Sequence, residues 1–364
     1  MGTEEIHNIK DTMAPMEAVE VVDPAVINKL PPGTRVIKIA THGSSFWTRT
    51  ARIDVEQQDG TPKAYFLKTS HSAHGKAMLA SEFTSMAHLS AVMPDLAPAP
   101  LAWGTYAGTT TTTPPDIHFL LCEFRAMTGE TPRAEVLARQ VAELHLRSIV
   151  AVAAGDSVDG SGGGRRRFGS DIPTFHGNVR VDHGWEDSWE SYFARTTRAL
   201  FELEQKARGP NEEIQSLITP FFEKVIPRLL RPMETGGRSI SPCLVHGDLW
   251  HGNAETDAET GRPVIFDAAS FYAHNEYDLG VWRQPWNRID GTYRTEYHKH
   301  FPPSAPQEDC DDRNALYATR VNVLDSILYK DDPTYRHMII SGMRELVDKY
   351  PGGFEEWEAK GSQS

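Results

Sequence analysis

The sequence has few cysteines, no long apolar run and no excess of basic residues. Its three cysteines, Cys122, Cys243 and Cys310, lie far apart and form no CxxC pair or zinc-binding spacing. A scattered, odd number of cysteines is typical of a reducing compartment, so we expect a cytoplasmic protein. The N-terminal residues lack the apolar core of a signal peptide, and the run IVAVAA is far too short to span a membrane.

The charge balance is acidic. The chain of 364 residues has 37 Lys and Arg against 50 Asp and Glu, a formal net charge of -13. A surface that binds nucleic acid needs an excess of basic residues, so DNA and RNA are not expected as partners. A small anionic ligand needs only a few local cations and stays compatible with this composition. The length is sufficient for two domains.

The first 125 residues predict an antiparallel β-sheet with one long helix. Residues 1–22 predict a flexible tail, and Asp23 followed by Pro24 predicts a short helix after it. Short β-branched and aromatic runs separated by turns then indicate the strands. These runs are RVIKIA, FWTRTARIDV, KAYFLKTS, PAPLAWGTY and IHFLLCEF. Helical periodicity over 75–92 predicts the long helix between the third and fourth strands.

The rest of the chain, residues 126–364, is mainly helical in pattern. Apolar residues at helical spacing predict helices at 136–148, 185–207, 211–231, 312–330 and 334–349. Only PCLVH (242–246) and PVIFD (263–267) predict strands there, and 156–167 predicts a flexible insertion rich in Gly and Arg. We therefore expect an α+β fold of two lobes, a small antiparallel-sheet N-lobe at 23–125 that binds nucleotide and a larger helical C-lobe at 126–364.

The segment LVHGDLWHGN carries the strongest chemical signal. It places Asp248 five residues before Asn253, which is the D-x-x-x-x-N spacing of a kinase catalytic loop. Asp248 would accept the proton of an attacking hydroxyl, and Asn253 would hold a magnesium ion that neutralises the phosphates. Asp267 ends the strand-like run VIFD and would supply a second oxygen ligand for Mg²⁺. The loop therefore predicts ATP-dependent phosphoryl transfer.

Residues of the first lobe complete an ATP site in this hypothesis. Lys68 ends the strand YFLK and would contact the phosphates, while Glu82 on the following helix would pair with Lys68. The turn THGSSFW is the candidate phosphate-covering loop, although it is not a Walker A motif. Its small residues are Gly43, Ser44 and Ser45. Backbone groups around Glu123 and Phe124 would bind adenine.

Each of these residues also has a structural explanation when taken alone. A lysine at a strand end is usually a solvated charge, and a helical glutamate is usually a surface residue. His246 and His251 could bind a metal, but no cysteine or carboxylate at zinc spacing accompanies them, and His246 more readily braces the loop by hydrogen bonds. The DLG triplet at 278–280 is similar to a kinase DFG but follows no predicted strand. Order and spacing together favour the kinase hypothesis.

Several further segments resemble the fructosamine-3-kinase (ketosamine kinase) family. LVHGDLWHGN resembles the family's HGDLW-x-GN, and PVIFDAASFYAHNEYDLG resembles its D-P-A-x-x-Y-G-x-x-E-x-D-L segment. FWTRTARI, YFLK, EF-x-SM and PAPLAWG are similar to its N-lobe, VAELHLRS to its LA-x-LH-x-x-S helix, and FGSDIPTFHGN with WEDSWESYF to its FGF…T…G…W…W segment. The resemblance implies a protein-kinase-like fold, since this family is a branch of the aminoglycoside phosphotransferase and choline kinase group.

The resemblance also implies a substrate and the residues that contact it. The implied reaction is phosphorylation of the sugar 3-hydroxyl of a ketosamine, free or on a glycated protein, with ATP and Mg²⁺. The implied substrate-binding residues are Trp250, Tyr272, Glu276 and Asp278, and the implied supports of the catalytic loop are His246 and His145. Trp250 would face the sugar ring, with core packing as the alternative. Glu276 and Asp278 would hold the amine, with a structural pairing to buried backbone or arginine as the alternative.

The chain departs from the family pattern at a few positions. Ala268 replaces the proline of D-P-A, and Ser170 replaces the second phenylalanine of FGF, next to the insertion at 156–167. Many members carry a cysteine linked to redox control in the phosphate loop, but residues 41–47 contain none. Two other functions stay open: a kinase of another hydroxyl compound, such as an aminoglycoside or choline, and a nucleotide-binding pseudokinase. The sequence does not define the oligomeric state.

Overall fold

The computed structural model describes residues 19–43, 46–107, 116–154 and 167–361, with the backbone alone at 151–154. The chain divides into two compact units. The first comprises Met1–Glu130 and Glu255–Ala268, and the second comprises Thr131–Ala254 and Ala269–Ser364. Within the described ranges, no helix is long and apolar enough to cross a membrane.

The structure has the following strands and helices. The strands are β1 Arg35–Thr41, β2 Arg49–Glu56, β3 Pro62–His71, β4 Pro100–Thr105, β5 Ile117–Glu123, β6 Phe168–Ser170, β7 Thr174–His176, β8 Val179–Val181, β9 Gly184–Glu186, β10 Cys243–Val245, β11 Ala254–Thr256, β12 Pro263–Ile265 and β13 Phe271–Ala273. The α-helices are α1 Pro24–Ile27, α2 Ser72–Val92, α3 Ala134–Ala154, α4 Trp189–Arg208, α5 Glu212–Pro220, α6 Ile226–Leu230, α7 Gly291–His298, α8 Cys310–Leu328, α9 Pro333–Lys349 and α10 Gly353–Gly361. A π-helix spans Phe221–Val225, and 3-10 helices span Arg231–Glu234, His251–Asn253, Asn275–Arg283 and Gln307–Asp309.

The first unit is built on a five-stranded antiparallel sheet in the order β1–β2–β3–β5–β4. Alternate side chains of its strands form one apolar cluster, because successive residues of a strand point to opposite faces. Ala51, Ile53 and Val55 of β2 contribute to this cluster. On the other face, Leu79 of α2 packs with Leu120 of β5. The predicted strands and the long helix of this region are therefore present.

The hairpin of β11 and β12 belongs to the first unit, not to the helical part of the chain as expected. Thr128 N–H donates to the Thr256 carbonyl oxygen at 2.9 Å, and Ile265 N–H donates to that of Leu96, also at 2.9 Å. The predicted boundary at 125/126 lies at 130/131 instead. Sequence patterns do not report such contacts, because their partners are distant along the chain.

The second unit is mainly helical, with a four-stranded sheet in the order β10–β13–β6–β9 and a separate β7–β8 hairpin. Its core is aromatic and surrounds Trp189, whose indole N–H donates to the Tyr317 hydroxyl at 2.8 Å. The sequence predicted the main helices but missed β6 to β9 and β13, since three-residue strands are too short to show alternation. The predicted helix at 185–207 begins later, at Trp189, because Gly184–Glu186 forms β9.

Two predicted segments cannot be compared with the structure in full. The predicted tail at 1–22 is described only from residue 19, and the predicted insertion at 156–167 lies outside the described residues except for Arg167. The Arg167 guanidinium donates to the Asp187 carboxylate at 3.1 Å.

Close helix packing at Gly280 supplies a first prediction. A Cβ added at Gly280 would lie 2.7 Å from Tyr317 Cβ on α8 and 3.2 Å from the Ala318 amide nitrogen. Because backbone cannot yield as a flexible side chain does, Gly280→Ala should lower the free energy of unfolding by about 1–3 kcal/mol. Denaturant titration followed by tryptophan fluorescence measures this change.

Gly291→Ala is the matched control. A Cβ at Gly291 meets no heavy atom within 4 Å, so this variant should stay within about 0.5 kcal/mol of the parent protein. Equal stability of the two variants would contradict the packing described at Gly280.

Candidate active site

The predicted site residues form two groups, one in each unit. Lys68, Glu82 and Asp267 belong to the first unit, whereas Asp248 and Asn253 belong to the second. The geometry of each group is described by itself.

A buried lysine joins two carboxylates in the first unit. Lys68 Nζ lies 2.7 and 2.9 Å from the two carboxylate oxygens of Glu82 and 2.8 Å from Asp267 Oδ1. Lys68 lies within β3, between β2 and β5, and Glu82 lies on α2, so two rigid elements fix the pair. The predicted pairing of Glu82 with Lys68 is therefore present. Asp267 closes the group from the end of the β11–β12 hairpin.

The electrostatics of this group keep Lys68 charged. Burial alone would lower the pKa of Lys68, but the adjacent Asp267 and Glu82 carboxylates outweigh it and raise the pKa above its ordinary value. The Asp267 side chain is 43% exposed, so one of its oxygens can meet a ligand while the other accepts from Lys68. Asp267 has a φ of 57°, in the left-handed region that Asp tolerates better than most residues. Such conformations concentrate at functional sites.

The predicted phosphate loop is only partly described, whereas both residues of the predicted adenine segment are described. Gly43 has a φ of 74°, which favours glycine, while Ser44 and Ser45 lie outside the described residues. The Phe124 ring packs edge-on against His42 at 4.9 Å between centroids. The Glu123 N–H already donates to the Ala99 carbonyl oxygen at 2.9 Å. This amide already has a hydrogen-bond partner in the protein. The predicted contact with adenine is therefore left to the other backbone groups of Glu123 and Phe124.

A sharp turn fixes the catalytic loop of the second unit. Gly247 has a φ of 84°, and a Cβ there would lie 2.2 Å from the Ala269 carbonyl oxygen, so only glycine fits. Asn253 Nδ2 donates to the backbone oxygen of Asp248 at 2.9 Å and to Asp248 Oδ2 at 3.2 Å. His246 Nδ1 accepts from the Asp248 N–H at 3.2 Å. His246 therefore braces the loop, as predicted.

Asp278 holds the same loop by hydrogen bonds to its backbone. Its Oδ2 accepts from the His246 N–H at 2.7 Å, and its Oδ1 accepts from the Gly247 N–H at 2.9 Å. His145 Nε2 lies 3.3 Å from Oδ2. Burial alone would raise the pKa of Asp278, but the bonds from His145 and the Gly247 amide outweigh it and lower the pKa. His145 thus supports the loop through Asp278.

Glu276 is equally buried and is bound to arginine. Its carboxylate accepts two bonds of 2.9 Å from Arg313 and one of 2.8 Å from the Ser304 N–H. Glu276 and Asp278 are 1% and 2% exposed. The geometry therefore favours the structural pairing, which the sequence left as the alternative, over the predicted contact with a substrate amine.

The two aromatic candidates differ in exposure. Trp250 is half-buried, and its ring occupies the space beside Gly252, where an added Cβ would lie 2.3 Å from the indole. The Trp286 ring lies edge-on at 6.0 Å between centroids. Tyr272 is buried on β13 and lies 6.1 Å from the Trp185 ring. Trp250 therefore has surface available for a ligand, whereas Tyr272 is mainly a core residue.

His176 and Asp325 were not predicted as site residues. His176 Nδ1 lies 3.3 Å from Asp248 Oδ1, and His176 Nε2 lies 3.7 Å from Asp325 Oδ1. Burial alone would lower the pKa of His176, but the Asp248 and Asp325 carboxylates outweigh it, although Arg320 opposes them, and raise the pKa to about 8. Only the fold brings His176 of β7 beside the catalytic loop, so neither residue has a local signature.

The donor types at Asn253 and Asp267 fit magnesium. Because Asn253 Nδ2 is bonded to Asp248, the amide oxygen is the atom left to bind a cation, and Asp267 offers carboxylate oxygens. Oxygen donors of this kind are the ligands that Mg²⁺ prefers, usually together with phosphate oxygens. No cluster of three or more His, Cys, Asp or Glu side chains suited to a metal occurs in the part of the chain that the structure describes.

Comparison with solved structures defines the class of fold. An aminoglycoside phosphotransferase solved with AMP-PNP and hygromycin B is similar over 90% of this chain and 98% of its own, with a TM-score of 0.55 and 14% identity. A Thermobifida fusca protein assigned as a fructosamine-3-kinase is similar over 87% and 95%, with a TM-score of 0.62 and 20% identity. The protein thus has an α+β, protein-kinase-like fold, as the sequence predicted.

Comparison of sequences defines the family. Residues 49–325 match the family model of the fructosamine kinases, and the chain belongs to that family. Mouse ketosamine-3-kinase is 30% identical over 193 residues, which cover 50% of this chain and 59% of the mouse protein. The chain thus matches a little over half the length of this relative.

Removal of the Glu276 carboxylate tests its structural role. Glu276→Ala leaves the Arg313 guanidinium buried without its partner, which should lower the free energy of unfolding by about 3–5 kcal/mol. Chemical denaturation measures the loss. The double variant Glu276→Leu, Arg313→Met should recover most of it, because the unpaired charge is gone. If Glu276→Ala is as stable as the parent protein, the structural role is wrong and a contact of Glu276 with the substrate becomes the better explanation.

The raised pKa of His176 predicts a pH dependence of stability. Its pKa of about 8 in the folded protein exceeds the ordinary 6.5, so protonated His176 stabilises the fold. That contribution is fully present below pH 6.5 and is lost as the pH rises through 8. Between pH 6 and 9 the parent protein should lose about 2 kcal/mol relative to His176→Gln. Parallel curves of unfolding free energy against pH would contradict this assignment.

Proposed function

We propose that this protein transfers the γ-phosphoryl group of ATP to the 3-hydroxyl of a ketosamine. The observation that carries the proposal is the hydrogen-bonded loop at Asp248, whose carboxylate accepts from Asn253 and whose preceding His246 amide donates to Asp278, in a chain of the fructosamine kinase family. The similarity to mouse ketosamine-3-kinase supports ketosamines as the substrate class.

Asp248 acts as the general base in this proposal. Its side chain is 16% exposed, which leaves one face open to a hydroxyl while Asn253 and His176 hold the carboxylate in place. The hydroxyl oxygen attacks the γ-phosphorus directly as Asp248 takes its proton, the bond to the β–γ bridging oxygen breaks, and ADP leaves. No covalent enzyme intermediate is required.

The lysine group of the first unit binds the nucleotide phosphates in this proposal. Lys68 would donate to phosphate oxygens while Glu82 keeps its ammonium oriented. Asn253 and Asp267 would hold Mg²⁺, which neutralises phosphate charge when bound. Gly43, with Ser44 and Ser45, would cover the phosphates.

Adenine and the acceptor have their own proposed contacts. Backbone groups at Glu123 and Phe124 other than the Glu123 N–H would bind adenine. The exposed face of Trp250 would pack against the sugar ring, since an indole offers a flat apolar surface. The acceptor would be an amine-bearing sugar, free or attached to a glycated protein.

Loss of the base should remove turnover but not nucleotide binding. Asp248→Ala should lower kcat by a factor of about 10² to 10⁴, the range that general base catalysis contributes, while the Kd for Mg·ATP stays within a few-fold. Coupled kinetics and calorimetry measure the two effects. Near-full turnover by the variant would show that another group is the base.

Loss of the proposed metal ligand should give the opposite pattern. Asp267→Ala removes a carboxylate that would bind Mg²⁺, so the affinity for Mg·ATP should fall by at least about tenfold. Calorimetric titration with and without Mg²⁺ measures this. Asp257→Ala, in the same hairpin, is the control for altered stability and should not change the Mg²⁺ dependence. An affinity for Mg·ATP equal to that of the parent protein would remove Asp267 from the metal site.

A panel of acceptors tests the substrate class. ATP consumption by the purified chain would be followed with a fructosamine, a ribulosamine, a psicosamine, kanamycin, choline and no acceptor. Turnover on a ketosamine that disappears in Asp248→Ala is the expected result. Turnover on kanamycin or choline alone would keep the kinase and exclude ketosamines, and Mg·ATP binding without any turnover would favour a pseudokinase.

A further inference from the structure

Two buried acceptor atoms on one face of α8 have no hydrogen-bond partner. They are Asp325 Oδ2 and Asn322 Oδ1, in residues that are 4% and 6% exposed. Residues three apart on a helix lie on the same face, so the two side chains are neighbours. An unpaired buried acceptor costs free energy, and a carboxylate oxygen costs more than a neutral one. We call Asp325 and Asn322 the acceptor pair.

The acceptor pair lies beside the catalytic loop within the second unit. The His176 imidazole stands between the two carboxylates, with Nδ1 at 3.3 Å from Asp248 Oδ1 and Nε2 at 3.7 Å from Asp325 Oδ1. Asp325 and Asp248 therefore lie on opposite sides of one imidazole ring. Arg320 acts on His176 from nearby, and its guanidinium donates to the Thr197 hydroxyl at 2.8 Å and to the Tyr277 hydroxyl at 3.2 Å.

The missing partner has to be a donor, and a cationic one fits best. As a carboxylate, Asp325 can only accept at Oδ2, and Asn322 can only accept at Oδ1, so an anion or a carbonyl group cannot satisfy them. A protonated amine donates several N–H bonds and carries a positive charge, which a buried carboxylate attracts. In a ketosamine the nitrogen is attached to C1 and the reacting oxygen to C3, so the three carbons C1, C2 and C3 connect the two atoms. Ordinary bond lengths keep the two atoms within about 5 Å.

We propose that Asp325 and Asn322 bind the protonated amine of the acceptor substrate, with His176 as a positioning residue that spaces this subsite from Asp248. This inference rests on the proposed ketosamine kinase function and goes beyond it by assigning the amine. It also supplies the contact for which the sequence offered Glu276 and Asp278, whose carboxylates are occupied by Arg313 and by the catalytic loop.

Two acceptors that differ in charge test the subsite. A fructosamine with a protonated secondary amine and its N-acetyl counterpart, a neutral amide, would be compared by steady-state kinetics with the full chain. Asp325→Asn should raise KM for the cationic fructosamine by about 10- to 100-fold with little change in kcat. KM for ATP and the kinetics with the neutral amide should change by less than about threefold. Where the amide is not turned over, its inhibition constant replaces KM.

Matched variants separate binding from damage to the fold. Asp331→Asn removes an exposed carboxylate just beyond the end of α8 and should leave the preference for the cation unchanged. Asn322→Ala removes the neutral acceptor and should raise KM for the fructosamine by about 3- to 10-fold. This second variant carries the test if Asp325→Asn does not fold.

The outcomes are distinguishable. An equal loss on the cationic and neutral acceptors would overturn the subsite in favour of a purely structural Asp325. No loss on either would show that the acceptor pair holds only water. Both results leave the ketosamine kinase function intact. If the parent protein binds Mg·ATP but phosphorylates no ketosamine, the proposed function fails and the inference fails with it.

Discussion

The buried carboxylate of Asp278 determines the shape of the catalytic loop. It accepts hydrogen bonds from the backbone N–H groups of His246 and Gly247 and from the imidazole of His145, so both its oxygens have partners. The loop can turn this tightly only because Gly247 lacks a Cβ that would meet the Ala269 carbonyl oxygen. Asp248 is the next residue along the chain, so these hydrogen bonds also determine its position. In the proposed reaction, a base that is held in place before the substrate arrives loses little entropy.

The second unit surrounds this loop with ion pairs and aromatic packing. Trp282 donates to the Leu249 carbonyl oxygen at 2.9 Å, and Asn287 Oδ1 accepts from the His251 N–H at 3.0 Å, which fixes the loop beyond the base. The Glu276–Arg313 pair joins the 3-10 helix that carries Asp278 to α8. Rigidity at Asp248 therefore has its origin in residues that need not contact substrate. In the first unit, Lys68 is fixed in the same way by β3 and α2.

Several local features of the candidate site could be predicted from the sequence. The Asp248–Asn253 spacing, the position of Lys68 in a strand and the pairing of Glu82 all follow from short motifs or helix and strand periodicity. The sequence left open whether Glu276 and Asp278 bind a substrate amine or make structural pairs, because an acidic motif is the same whether its partner is a ligand or a buried arginine. It also missed His176 and Asp325, since three-residue strands leave no pattern and these two residues meet only through the fold.

The central claim is transfer to the 3-hydroxyl of a ketosamine with Asp248 as the base. The most direct measurement is carbon and phosphorus NMR of the product formed from a ¹³C-labelled fructosamine and ATP, with Asp248→Asn run in parallel. The account predicts phosphorus coupling at C3 and its neighbours and no product with the variant. A phosphate on another carbon, or the same product formed at a similar rate by the variant, would contradict it.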